Sequence, residues 1–304
     1  MLRIGTETLY FETGPFNPPT HRVAPGEWFE VRTQLNRGPW LEGHPDGAAL
    51  SRRLRGGNPS SGCIEIEGAA PGQMLCIEIG EIELDPLGFT RFAGWNGAFP
   101  GHLGAGDAWA AHKIVEIRDG FIHWDDRRLP VAPMVGFIGV APAHEQFHNG
   151  WGGYWGGNLD AQEVTTGATL YLPVHVPGAL LHVGDMHARQ GDGEICGAGG
   201  IEASGSVRLR CTLAPRPPAM RGPRLRDATH IATIACARPC EDAFRQALAA
   251  MLDWLVEEYG FERREAYLFL GQVLEARCTQ FVNPTFTYIC KVAHEWLPDP
   301  RPPA

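Results

Sequence analysis

The sequence predicts a mainly β fold, sandwich- or barrel-like, with a smaller α+β part at the C-terminal end. Three observations carry this reading. Gly (38) and Pro (25) together make about a fifth of the 304 residues, against about 12% in an average chain. With 44% apolar residues the chain is too hydrophobic to be disordered, so the excess reads as turns joining many short strands. Apolar residues alternate with period two through the first three quarters, and helical spacing takes over near residue 239.

The elements follow in order. Residues 28–33 form the first clear strand candidate. Residues 62–69 alternate Ile64 and Ile66 with Glu65 and Glu67, one face dry and one wet. Ala70-Pro71-Gly72 turns the chain, and Leu75, Ile77 and Ile79 resume the alternation, so a hairpin is the economical reading. Residues 113–117, 121–124, 169–176, 180–183, 207–213 and 231–235 are further candidates, with Pro173 and Pro177 marking edges or bends. Pro239-Cys240-Glu241-Asp242 is an acidic, proline-led helix start. Phe244, Leu248, Met251, Leu252, Leu255 and Tyr259 recur at helical spacing until Gly260. Residues 263–277 read as a second helix with Tyr267, Leu270 and Leu274 on one face. Residues 281–292 return to strand, and the tail from Pro298 is expected to fray. The division is a β-rich body over 1–235 and a helical pair plus strand over 236–304, packed on the body as one structural unit.

Composition excludes several functions. A net charge of −9 argues against nucleic acid, which needs a basic face. No apolar run reaches the roughly 18 residues of a membrane span, and the first ten residues lack a signal pattern, so a cytoplasmic protein is expected. Eight cysteines without a C-x-x-C pair read as small buried hydrophobes, neither a disulfide framework nor a zinc site.

The polar residues that matter cluster between 144 and 202. The densest run is Gly184-Asp185-Met186-His187-Ala188-Arg189-Gln190-Gly191-Asp192-Gly193-Glu194. Asp185 and His187 stand two apart after a strand, so an extended backbone aims both to one side. Asp192 and Glu194 stand two apart across a Gly-flanked turn. Four donors of mixed imidazole and carboxylate character suit zinc or manganese better than calcium; the alternative is a surface loop using Asp and Gly for turns. A second piece, residues 149–160, brings Gly156-Gly157-Asn158-Leu159-Asp160. There Trp151, Tyr154 and Trp155 could wall a pocket, and Asp160 could be a further ligand. A third, Gly56-Gly57-Asn58-Pro59-Ser60-Ser61-Gly62, could offer N–H groups or the Asn58 amide to a substrate carbonyl. His144-Glu145-Gln146-Phe147-His148 fits H-E-x-x-H, but that motif needs a helix. Pro142 and the following glycines leave room for barely a turn or two, so His144 and His148 remain only pocket-lining candidates. No G-x-S-x-G, Ser-x-x-Lys or phosphate-binding Gly-rich loop is present.

At these same residues the sequence resembles the acetamidase/formamidase family. The matching stretches are Gly57-Asn58-Pro59 through Gly68-Ala69-Ala70-Pro71-Gly72, Gly157-Asn158-Leu159-Asp160, and Leu172-Pro173-Val174 with Pro177-Gly178-Ala179-Leu180. Gly184-Asp185-Met186-His187-Ala188 with Gln190-Gly191-Asp192-Gly193-Glu194, and Gln280-Phe281-Val282-Asn283-Pro284 after the helical pair, complete the set. Ser60-Ser61-Gly62-Cys63 departs from the Val-Thr-Gly-Pro common there. The resemblance implies a β-rich fold, hydrolysis of short linear amides to carboxylate and ammonia, and a divalent metal, zinc first. It implies Asp160, Asp185 and His187 as metal ligands, with Glu194 and then Glu202 as general base. Asn58, Asn158, His148 and Trp155 are the expected substrate-binding residues. Small amides and a second copy of the chain, as a homo-oligomer, are the expected partners. Three other readings stand beside this one: a metal hydrolase of a cyclic or bulkier amide or an ester on the same scaffold, a non-catalytic small-ligand or metal-binding protein, and a β-sandwich or barrel interaction module with Gly-rich loops.

Overall fold

The computed structural model describes residues 1–37, 47–92, 97–98, 111–197 and 199–301. Nineteen strands form one curled, mainly antiparallel sheet. The strands that matter here are β1 (Trp28–Thr33), β2 (Ser60–Ile66), β3 (Gln73–Phe92), β4 (Ala111–Arg118), β5 (Met134–Gly139), β6 (Thr169–Pro173), β7 (Leu181–Arg189), β8 (Ile201–Pro215), β9 (His230–Ala237), β10 (Glu275–Gln280) and β11 (Phe286–Ala293). Helices α1 (Cys240–Glu257) and α2 (Arg263–Val273) lie between β9 and β10 in the chain.

The long strands β3 and β8 are the spine, paired from Gln73 opposite Pro215 to Phe89 opposite Glu202. The outer edge of β3 takes β6 near its start and β4 near its end. The outer edge of β8 takes β7 near its start and β1 further along. β7 therefore runs inside the sheet, with β5 along one edge and β2 followed by β8 along the other. Beyond β6 the sheet continues through Arg224–Arg226 to β9, β11 and β10. The main core holds Phe29, Val31, Ile64, Ile66, Leu75 and Ile77, each worth about 1.5–3 kcal/mol when fully buried.

The expected hairpin between β2 and β3 does not form. β2 pairs with β7, Leu9–Tyr10 and His21–Val23, whereas β3 pairs with β8, β6 and β4. Between them, Ile66 N–H donates to Gly178 and Glu67 N–H to Val23. Residues of both strands still bury their apolar faces in one core. Alternation specifies which face is buried, not which strand lies alongside.

β7 and β8 are longer than their period-two signal. Eight of the nine residues of β7 are buried, so its pattern is continuous rather than alternating, as for a strand covered on both faces. The Asp185-His187 segment is thus part of a strand and not a loop after it.

The helical pair also differs in detail. α1 buries Ala243, Ala247, Met251, Trp254 and Leu255, leaving Phe244, Leu248 and Leu252 partly buried against that cluster. The alanines let the helix approach β9 and β11 closely. α2 ends at Val273, and residues 275–277, expected as helix, open β10. Tyr267 faces solvent; Ala266 and Leu270 are the buried pair. The Glu262 carboxylate caps α2 by accepting from the N–H groups of Arg264 and Glu265. The tail is held as far as Arg301, whose N–H donates to Glu258, and 302–304 lie outside the described residues. No described helix is long and apolar enough to cross a membrane.

Candidate metal and active site

Three strand systems meet at the site. β7 supplies Asp185 and His187. β8 sets Glu202 directly opposite His187 in register. Asp160 follows the short strand Gly156–Asn158, which pairs with β5. The Gly136 carbonyl of β5 accepts the N–H groups of both Leu159 and Asp160. Gly136 can be nothing larger: a Cβ there would lie 2.5 Å from Asp160 Oδ1 and 2.6 Å from the Asp185 carbonyl.

Asp160, Asp185 and His187 each offer one donor atom, all within 4.8 Å of one another. His187 Nε2 lies 3.8 Å from Asp185 Oδ2 and 3.8 Å from Glu202 Oε2. Asp160, Asp185, His187, Glu194 and Glu202 are all buried. Five of their atoms, Asp160 Oδ1, Asp185 Oδ1, His187 Nε2, Glu194 Oε2 and Glu202 Oε2, have no hydrogen-bond partner of ordinary geometry among the described residues. Buried polar atoms left unpaired are costly and call for an explanation. Asp160, Asp185 and His187 could together hold a metal ion, and imidazole plus carboxylate is donor chemistry that suits a divalent transition metal. The electrostatics agree. Burial, then the neighbouring Asp185 charge, raises Asp160. Burial, then Asp160, raises Glu194; burial, then Asp185, raises Glu202. His187 is pulled well upward against its own burial by the carboxylates around it. The cluster is short of positive charge.

The surroundings fix each donor. Gln190 Nε2 donates to the carbonyls of Asp160 (2.8 Å) and Thr279 (3.1 Å). Its Oε1 therefore faces His187 Nδ1 at 2.8 Å. Nδ1 must carry the proton, and Nε2 presents its lone pair to the cluster, the arrangement expected behind a metal-binding histidine. Asn283 Nδ2 donates to Asp160 Oδ2 at 2.6 Å, and Asn58 Nδ2 to Asp185 Oδ2 at 3.1 Å. The Gly199 N–H holds Glu194 Oε1 at 2.9 Å. Asn58, Asp160, Asp185 and Glu194 all have left-handed backbone, with φ of 50°, 43°, 53° and 45°. Such residues cost about 1–3 kcal/mol each and persist where packing enforces them.

A cavity of about 280 Å³ opens above this floor, lined by Asn58, Asn158, Asp185, Glu194 and Glu202 among others. Several expected site residues are placed elsewhere. His148 is exposed; it sits opposite Glu12 in a two-residue strand and accepts the Gly150 N–H on Nδ1. The H-E-x-x-H residues 144–148 form no helix. Trp155 is buried in the main core, stacked on Phe147 with ring centroids 4.1 Å apart. The glycines at 152–153 and 156–157 fold the aromatic stretch back as a hairpin, which draws the indole inward and away from the cavity. Asp192, once a fourth ligand candidate, points outward to Arg277 Nε at 2.8 Å. It shares a three-residue turn with Glu194, and there positions two apart face different ways. Asn58 spends both amide hydrogens on Asn158 Oδ1 (3.0 Å) and Asp185, which leaves its amide no N–H for a substrate carbonyl.

Sequence reasoning missed Gly136, Gln190 and Asn283 as site residues, and Asn36, Arg37, Phe89 and Arg91 as cavity lining. Gln190 and Asn283 lay inside stretches that carried the family resemblance, which was the available signal. Nothing local marks Gly136.

Comparisons with known proteins agree with this geometry. The Acetamidase/Formamidase family model matches residues 152–222, which include Asp160, Asp185, His187, Glu194 and Glu202. The crystal structure of an acetamidase from Bacillus halodurans is 31% identical, with a TM-score of 0.86 over 97% of this chain and 98% of that one. A predicted acetamidase/formamidase from Thermoanaerobacter tengcongensis is 29% identical, with a TM-score of 0.87 over 97% and 96%. A Schizosaccharomyces pombe protein bearing a formamidase name is 30% identical over 210 residues, 50% of this chain and 51% of that protein. The match spans about half the length of that curated relative.

Proposed function

Since the chain belongs to the acetamidase/formamidase family, we propose that it is a metal-dependent amidohydrolase that cleaves a short linear amide to carboxylate and ammonia. The observation that carries this reading is the buried group Asp160, Asp185 and His187, with donor atoms within 4.8 Å of one another, beside a polar cavity that Asp185, Glu194 and Glu202 line.

Asp160, Asp185 and His187 would hold the ion, zinc first among divalent metals. When bound, such an ion supplies Lewis acidity and lowers the pKa of a coordinated water toward about 7. The rest falls to the chain. Glu194, with one oxygen held by the Gly199 N–H and the other free, takes the proton of the attacking water and returns it to the departing nitrogen as ammonia leaves. Glu202, opposite His187, is the second candidate for that role. Asn158 lines the cavity with its carbonyl oxygen already engaged by Asn58, so its amide N–H groups are the end left for a substrate carbonyl. Gln190 keeps His187 in the tautomer that can ligate. A homo-oligomer is part of the same reading, to be checked by light scattering.

The test is ammonia release from formamide, acetamide and longer linear amides, scored beside elemental analysis of the purified protein. Turnover that disappears on chelation and returns with one equivalent of divalent metal supports the proposal. Stoichiometric metal without turnover of any amide would favour the non-catalytic binding protein, and turnover only of bulky amides or esters would favour the alternative hydrolase.

A further inference from the structure

The cavity's walls say more about the substrate than its floor does. About 280 Å³ is room for roughly nine waters at about 30 Å³ each. Formamide, with three heavy atoms, would leave most of it filled by solvent. Among the described lining residues Phe89 is the single large apolar side chain; the rest are asparagines, carboxylates, glycines and two arginines.

The arginines are Arg37 and Arg91, both exposed at the mouth. Neither guanidinium forms an ion pair among the described residues, unlike Arg22 with Glu65 and Arg210 with Glu78. They come from separate parts of the fold, Arg37 after β1 and Arg91 at the end of β3, yet line one opening. The cavity is thus lined by buried acids, by amides and by two exposed guanidinium groups that have no ion pair among the described residues. That polarity matches a molecule with a neutral, hydrolysable amide at one end and an anion at the other. Guanidinium groups are the side chains best suited to grip a carboxylate, by paired N–H donors.

We propose that the preferred substrates are linear amides whose acyl chain ends in a carboxylate, the monoamides of short dicarboxylic acids, with Arg37 and Arg91 setting that preference. This rests on the amidohydrolase reading above and narrows it.

The experiment compares succinamate with butyramide, which has nearly the same length and no charge, on the metal-loaded enzyme. The expected kcat/KM for succinamate is at least tenfold the higher, and raising salt from 50 to 500 mM narrows the gap by raising the succinamate KM, because exposed charges are screened. In R37A and R91A the ratio of the two kcat/KM values falls about tenfold, with R37K and R91K between; a role in the general field of the site would lower both substrates alike and leave the ratio. Binding of succinate, which cannot be hydrolysed, is measured by calorimetry on the same proteins and weakens about tenfold in R37A and R91A. Equal or better turnover of butyramide, or a ratio indifferent to both arginines, overturns the preference while leaving amide hydrolysis standing. Succinate binding that depends on the arginines, in a protein that hydrolyses neither amide, upholds the anion site and overturns the hydrolase reading instead.

Discussion

Two fully buried histidines stand five residues apart on β7, and their surroundings are opposite in kind. His182 has both ring nitrogens engaged, Nδ1 with Ser60 Oγ at 3.0 Å and Nε2 with Asn17 Nδ2 at 3.2 Å. The network closes around it: Asn149 Nδ2 donates to Ser60 Oγ and to the Asn58 carbonyl, and Thr13 donates to Asn149 Oδ1. No carboxylate acts on it, and burial alone pushes it down to about 3. His187 has one nitrogen satisfied and one open, faces carboxylates, and is pushed upward. The same residue type, strand and depth yield a self-sufficient strut in one place and an open ring nitrogen among buried carboxylates in the other. A buried polar cluster that satisfies itself serves structure; one that leaves several atoms aimed at a common point is built for something not in the chain.

The largest break in this comparison is at His187. Replacing His187 or Asp185 by Ala should remove stoichiometric metal and lower turnover by at least about a thousandfold, read by elemental analysis and ammonia release. Metal-free D185N should melt above metal-free wild type, because one of the mutually repelling buried carboxylates is gone; a lower melting temperature would contradict the repulsion. On the structural side, His182→Ala takes one hydrogen bond each from Ser60 and Asn17, opens a cavity, and should cost about 2–4 kcal/mol in urea unfolding while keeping metal content.

Supporting residues should give intermediate effects. Gly136→Ala drives a methyl group into Asp160 Oδ1, and Gln190→Ala frees the His187 ring from its tautomer. Each should weaken metal binding about 10–100-fold in a competitive chelator titration, with stability in the metal-free state much less affected by Gln190→Ala than by His182→Ala.

The smallest effect is in pH dependence. His182 stays neutral in the folded chain down to about 3 but titrates near 6.5 when unfolded. The unfolded state therefore binds the extra proton as pH falls below 6.5. Stability is lost in that direction at up to about 1.4 kcal/mol per pH unit. Metal-free H182Q should lose melting temperature less steeply between pH 6.5 and 5 than metal-free wild type; parallel slopes would show that His182 is not the group responsible.

Much of this was legible in the sequence because its signal is local. Asp185, His187 and Glu194 fall in one run, and the period-two faces of β1 and β2 name core residues correctly. What escaped was non-local. The partner of β2 is β7, over a hundred residues on, and no alternation pattern encodes that. β7 read as a short strand because a strand buried on both faces does not alternate. Trp155 and His148 looked like pocket residues because an aromatic, Gly-rich loop has the right composition for one; their placement is decided by a hairpin that folds the indole into the core. Gln190 and Asn283 act on ligands brought near only by the sheet's curl, and Gly136 matters for an atom it lacks.

The central claim is that the open atoms around His187 hold one divalent cation. The direct measurement is elemental analysis of the purified wild-type protein beside His187→Ala and His182→Gln. The account predicts one divalent ion per chain in the wild type and in H182Q, and none in H187A. Metal absent from the wild type after loading with zinc or manganese, or retained undiminished by H187A, would contradict it.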